Sequence, residues 1–380
     1  MPSSPVSRRD FSRTLGQSFA FLLAAPRISH SFVASAGDSQ SDGTIHLNFN
    51  ENPYGPSPKA LEALSECGAI ASRYPLVVYD VMIDALARKH GVKAENIMLG
   101  CGSTEVLRVA DAVFLGPGKN VVAAEPTFEA VLDYAKVMRG EAVKIPPTAD
   151  YRHDLPRMAD ACTSHTGIVY VCNPNNPTGT IVTRDELKSF IARVPQQTLI
   201  LMDEAYFDFV EDPRYATAIE WVETHPNVVV ARTFSKIYGL AGMRLGYAVG
   251  AKETISRMHQ QTLQDNVNAA VFAAAHASLS DAESIAICRS KINGTRRWLT
   301  EELAKDERNF IPTQANFLMI DMGSDVRPFI GKFQAHNILV GRQFPAMPHF
   351  LRVTIGTQAE TESFLAALRK IAPAKGSRAA

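Results

Sequence analysis

Four short polar clusters close apolar runs in this chain, and their residue types suit chemistry on one small molecule. Thr233-Phe234-Ser235-Lys236 ends the run 228–233, and Gly239, Gly242, Arg244 and Gly246 follow it. Glycines around a lysine let it approach a ligand closely, and a desolvated amine there serves as nucleophile and proton shuttle. Asp203-Glu204-Ala205-Tyr206 ends the run 199–202. A carboxylate in that place can keep a pyridine nitrogen protonated, and the Tyr206 hydroxyl can hydrogen-bond a phenolate oxygen. Asn173-Pro174-Asn175-Asn176-Pro177-Thr178-Gly179 makes a rigid turn after 167–171 and presents the Asn176 amide. Gly100-Cys101-Gly102-Ser103-Thr104-Glu105 joins a strand to a helix, where close backbone approach and free N–H groups suit a phosphate.

Each cluster taken alone has a plainer explanation. A lysine in a glycine-rich loop is usually a surface residue, an Asp-Glu pair at a strand end is usually a cap or a solvated edge, and Asn-Pro runs make turns. Their meaning depends on whether the fold brings them together. Beyond residue 72, β-rich apolar runs at 97–99, 121–124, 167–171, 199–202, 228–233 and 246–249 alternate with helical stretches such as 105–114 and 129–138. That alternation predicts an α/β fold with a mostly parallel central sheet covered by helices. Ligands sit outside the carboxyl ends of such strands, so the clusters are expected to converge.

From about Asn268 the pattern changes to an Ala-rich helix to Leu279 and a long polar helix over 281–305. Short strands follow at 317–320, 338–340 and 351–354, then a closing helix at 359–371. This predicts a smaller α+β domain. The expected organisation is an address segment (1–36), an N-terminal arm with a small-domain segment (37–72), a large cofactor-binding domain (73–267) and a C-terminal small domain (268–374).

The chain has 380 residues, 46% hydrophobic and 21% charged, with a formal net charge of zero. That length exceeds what one core usually covers. The absence of a basic field argues against nucleic acid and anionic membrane as partners, and for a small molecule. Cys67, Cys101, Cys162, Cys172 and Cys288 are scattered, which suggests free thiols and neither a disulfide framework nor a metal site. At the start, Ser7-Arg8-Arg9-Asp10-Phe11 precedes a short apolar stretch over 19–25 and then Ala34-Ser35-Ala36. This resembles a bacterial twin-arginine export signal and is too short to span a bilayer. Periplasmic or secreted location follows as an expectation, and that route carries folded cargo with its cofactor aboard.

As an ensemble, Asn-Asn-Pro-Thr-Gly, Asp-Glu-Ala-Tyr and Ser-Lys…Gly-x-Arg-x-Gly resemble the class I/II aminotransferases of the fold-type I pyridoxal-5′-phosphate (PLP) enzymes. The likeness runs from about Leu47 to the last helix. Asn48-Phe49-Asn50-Glu51-Asn52-Pro53-Tyr54-Gly55 and Leu351-Arg352-Val353-Thr354-Ile355-Gly356-Thr357 look most like the histidinol-phosphate aminotransferase branch. The resemblance implies that Lys236 forms the internal Schiff base, that Asp203 pairs with the pyridine nitrogen, and that Tyr206 and Asn176 contact the ring's 3′-oxygen. Ser103, Thr104, Ser235 and Arg244 would hold the phosphate, and Phe128, in Glu125-Pro126-Thr127-Phe128, would stack on the ring. Tyr74 would reach the phosphate of a second subunit in a homodimer. Arg352 would clamp the substrate's anionic group, with Tyr54 and Asn176 as further substrate contacts.

The implied reaction moves an amino group from an amino acid or amino phosphate to a 2-oxo acid such as 2-oxoglutarate. PLP-dependent decarboxylation or lyase chemistry shares the same cofactor motifs, and a non-catalytic PLP-binding protein is a third reading, opposed by intact Lys236, Asp203 and Arg244. The branch often places a second arginine directly after the Ile-x-Val strand. Here Gly341 occupies that place and the arginine is shifted to Arg342. Alternation in an extended segment then turns Arg342 away from the pocket, and Phe344-Pro345-Ala346-Met347 is left as apolar lining or core.

Overall fold

The clusters do converge, because six of seven strands in one sheet point their carboxyl ends toward the same edge. The computed structural model describes residues 43–263 and 265–373, so the export-like segment lies outside the described residues. After β1 (Ile45–Leu47) come β2 (Ile97–Gly100), β3 (Asn120–Ala124), β4 (Glu141–Ile145), β5 (Thr166–Cys172), β6 (Leu199–Asp203), β7 (Val228–Thr233) and β8 (Gly246–Gly250). The last seven form one sheet in the order β2-β8-β7-β6-β5-β3-β4. β8 runs antiparallel to both neighbours, and the other pairings are parallel. Helices cover it, giving the α/β architecture expected from the alternation.

Strands β5, β6 and β7 are buried at every position, which is why they read as unbroken apolar runs. β4 is absent from the expected set for the opposite reason. It is an edge strand with a largely solvated sequence, Glu-Ala-Val-Lys-Ile, and lacks that signal. The helix Ser103–Phe114 lays Val106, Leu107, Val109 and Ala110 on the sheet, packed with Met98, Val121 and Ala248. Each large apolar side chain buried this way contributes about 1.5–3 kcal/mol.

The helices Ala269–Leu279 and Ala282–Lys305 lead into β9 (Phe310–Ile311), β10 (Phe317–Asp321), β11 (Ile338–Val340) and β12 (Phe350–Thr354), and the chain closes with the helix Gln358–Ile371. β12, β10 and β9 form an antiparallel sheet in that order, with Met319 opposite Arg352. The segment after β1 is tied to this small sheet: Asn50 N–H donates to Thr354 Oγ1 (2.9 Å), and Asn316 Nδ2 donates to the Asn50 carbonyl (3.1 Å). That tie brings Asn48–Glu51 beside the large sheet's carboxyl edge. Among the described residues no helix is long and apolar enough to cross a membrane.

Candidate active site

A cavity of about 650 Å³ opens at that edge, within the size range of small-molecule sites. Lys236, Asp203, Tyr206, Asn176, Arg244 and Arg352 all line it, as do Ser103, Thr104, Phe128 and Ser235.

Lys236 follows β7, and its Nζ donates to the Phe49 carbonyl at 3.1 Å. Burial, reinforced by the positive Arg352, lowers its pKa to about 8, against the smaller pull of Glu51 and Asp203. Part of the population is therefore free amine near neutral pH, as a nucleophile requires. Asp203 ends β6 and is 3% exposed. Burial raises its carboxyl to about 6, while the Tyr170 hydroxyl (2.9 Å to Oδ2) and the Ala205 N–H (3.1 Å to Oδ1) favour the charged form. Above that pH it presents a fixed negative charge in a dry place.

Tyr206 accepts a hydrogen bond from Asn50 Nδ2 at 3.1 Å and lies edge-on to Phe317. Burial pushes its hydroxyl well up, so it stays protonated and available as a donor. Asn176 reaches the cavity because its neighbours hold the turn. Asn173 Oδ1 accepts from the Val182 N–H, and Asn175 Nδ2 donates to Thr178 Oγ1 and to the Pro126 carbonyl. Thr127 Oγ1 donates to Asn175 Oδ1 at 2.8 Å, which ties the Glu125–Phe128 loop to the same turn.

At the other end, Gly102 precedes the helix Ser103–Phe114 with φ 78°, and Arg244 occupies the left-handed region at φ 63°. Arg244 Nη1 donates to Ser235 Oγ (3.3 Å) and to the Ala241 carbonyl (2.9 Å). A side chain at Gly102 would meet Arg244 Nη2 at 2.4 Å, and one at Gly246 would meet Ser103 N at 2.1 Å. Glycine at both places lets a helix start, a hydroxyl and a guanidinium share one cradle, a donor set made for a phosphate dianion. Gly246→Ala is accordingly expected to weaken PLP binding at least tenfold by equilibrium titration of the apo form, because the strain falls on backbone atoms.

Arg352, on β12, is 8% exposed. Its Nη1 donates to Asn176 Oδ1 (2.7 Å), its Nη2 to the Asn48 carbonyl (2.8 Å), and its Nε has no partner among the described residues. Among the described residues this buried guanidinium is held by neutral acceptors, a setting with the chemistry to take an anion. A phosphate cradle, a buried carboxylate and a buried amine thus ring one cavity, and together they fit a phosphorylated aromatic aldehyde with a basic ring nitrogen.

Residues 42–368 match the class I and II aminotransferase family. The chain belongs to that family. Its cofactor is pyridoxal 5′-phosphate, and it is a PLP-dependent aminotransferase. The aminotransferase is 40% identical over 330 residues to a histidinol-phosphate aminotransferase of Moorella thermoacetica, covering 86% of this chain and 85% of that one. It is 34% identical over 332 residues to an aromatic amino acid aminotransferase of Cutibacterium acnes, covering 87% and 94%. The crystal structure of the Sinorhizobium meliloti histidinol-phosphate aminotransferase in complex with pyridoxal-5′-phosphate superposes with a TM-score of 0.82 at 25% identity, covering 92% and 98%.

Two sequence expectations need correction or relocation. Arg342 lines the cavity instead of turning away from it. β11 ends at Val340, and Gly341 N–H then bonds the Arg352 carbonyl at 2.8 Å, so simple alternation stops there. A side chain at 341 would lie 2.8 Å from that carbonyl and 3.2 Å from Arg352 Nε, which explains the glycine and the shifted arginine together. Of the following four residues, Phe344 reaches the cavity, while Met347 packs with Ile311 and Met319 in the core. Tyr54 is carried off by the turn whose Asn52 Oδ1 accepts its N–H, and its ring lies in a separate hollow with Lys291 and Thr295. Tyr74 is 79% exposed and away from the cavity of its own chain.

Tyr170 and Glu129 were not singled out in the sequence, and Asn50 and Glu51 stood only inside the motif 48–55, with no role assigned. Tyr170 carried a usable signal: it is the one hydroxyl inside the run 167–171, and a buried tyrosine tip needs a partner.

Proposed function

We propose that Lys236 carries the cofactor and moves the substrate's Cα proton, and that Arg352 seats the anionic group of an amino acid or amino phosphate. The observation that carries this is the Arg352 guanidinium, buried between Asn176 and Asn48 with Nε unpartnered among the described residues, in the cavity that Lys236 also lines. PLP, when bound, supplies the electron sink for the charge that develops at Cα. Asp203 would hold a proton on the pyridine nitrogen, Tyr206 and Asn176 would serve the 3′-oxygen, and Phe128 would cover the ring. Ser103, Thr104, Ser235 and Arg244 would seat the phosphate.

The preferred donor is an aromatic or imidazole-bearing amine of the histidinol-phosphate type, with 2-oxoglutarate as acceptor. Histidinol-phosphate and aromatic amino acid aminotransferases among the relatives support this, as does the apolar wall of Ile330, Val340 and Phe344. A donor screen with 2-oxoglutarate, including histidinol phosphate, tyrosine and phenylalanine, tests it. Activity confined to small aliphatic donors would overturn it.

The working form is a homodimer. Tyr74, Leu76, Val77 and Val81, close together along the chain, are all exposed, and apolar side chains exposed in numbers are of a kind that marks an interface. Sedimentation at micromolar concentration is expected to give twice the chain mass, and Tyr74→Phe to weaken PLP binding several-fold. A monomer with full affinity counts against the dimer. Export rests on Arg8-Arg9 and the residues after them. Replacing both arginines with lysine is expected to retain a reporter fusion in the cytoplasm.

A further inference from the structure

We propose that Glu129 is an exchangeable counter-ion for Arg342 and thereby sets which distal charges the cavity accepts. The proposal rests on the substrate reading above and deepens it. Arg342 and Glu129 both line the cavity, and Arg342 Nη2 donates to Glu129 Oε2. Both side chains are about half exposed, at 55% and 43%. An ion pair in that setting is held weakly and can be traded for another anion. Arg232–Glu204 shows the contrast, with side chains 4% and 0% exposed and no access for a competitor.

Arg342 and Arg352 share one aromatic neighbour. Their guanidinium carbons lie 4.4 and 5.2 Å from the Phe344 ring centroid, so they are no farther apart than the two distances together. The ends of a five-carbon dicarboxylate bridge such a gap. An acceptor of that kind would put one carboxylate on Arg352 and the other on Arg342, displacing Glu129. A donor with an aromatic or imidazole side chain leaves the Arg342–Glu129 pair in place, so no charge is stranded beside Phe344. One cavity can then serve two substrates of different charge in turn, and specificity comes from what the competitor carboxylate excludes.

The test uses holoenzyme in two measurements. The first compares kcat/KM for 2-oxoglutarate and phenylpyruvate with a common donor. Glu129→Gln is expected to raise that ratio about three- to tenfold, mainly through KM, and to leave it unchanged in an Arg342→Gln background. The second is absorbance titration with glutarate and 3-phenylpropionate, which needs no turnover. Glu129→Gln is expected to tighten glutarate relative to phenylpropionate by a similar factor. A relative affinity unchanged by Glu129→Gln, or changed equally without Arg342, overturns the counter-ion role. Failure of every donor in the screen, with the affinity shift intact, would overturn the substrate reading and leave this one standing.

Discussion

Lys236→Ala is expected to lower transamination by about 10⁴-fold or more. A positioned proton-transfer group contributes about 10²–10⁴-fold by itself, and this amine is also assigned the bond that holds the cofactor. The cost should fall on chemistry and not on folding. Lys236 Nζ donates to the Phe49 carbonyl, and burial with Arg352 nearby already lowers its affinity for a proton. Removing it relieves a buried positive charge beside Arg352 and Arg244. The apo melting temperature at pH 7 is therefore expected to hold or rise, while the visible absorbance of the PLP form changes from that of the lysine adduct to that of free aldehyde. A variant with residual activity within tenfold of wild type would remove Lys236 from the reaction.

Asp203→Asn carries the second large effect, and it should have opposite signs for activity and stability. The amide cannot hold a negative charge against the pyridine nitrogen, so kcat is expected to fall about 10²–10³-fold, the scale of losing one preorganised electrostatic partner. The stability effect follows from the carboxyl's shift from an ordinary 3.8 to about 6 on burial. A carboxyl whose folded pKa is raised stabilises the fold fully below the unfolded value, and that stability is lost as pH rises through about 4 to 6. Above pH 6 the apo wild type bears a constant cost of about 3 kcal/mol at most, at 1.36 kcal/mol per pH unit. Apo Asp203→Asn is expected to melt higher than wild type at pH 8, with the gap closing near pH 4. Thermal melts of the apo forms across that range check it. A variant less stable at pH 8 would contradict the account of Asp203 as a buried charge kept for function.

The large sheet was legible because β5, β6 and β7 are buried on both faces, which writes them into the sequence as continuous apolar runs. Edge position hid β4, whose Glu141 and Lys144 read as loop. Most of the site was legible for a related reason. Lys236, Asp203, Asn176 and Ser103 each follow or end a buried strand of one sheet, so position in the strand fixes position at the cavity. The residues missed come from contacts between distant segments. Asn50 reaches Tyr206 only because its backbone is pinned to Thr354 and Asn316. Arg342 was misdirected because alternation is a rule for strands, and the strand ends two residues earlier, at Val340. Glu129 had no local signal, since its partner lies more than two hundred residues along the chain.

Reduction of the PLP-loaded enzyme with borohydride, followed by digestion and mass mapping, tests the central assignment most directly. The account predicts one phosphopyridoxyl group per chain, on Lys236 in the peptide that contains Phe234-Ser235-Lys236-Ile237. A stable adduct on any other lysine, or a chain that binds PLP and yields no adduct, would contradict it.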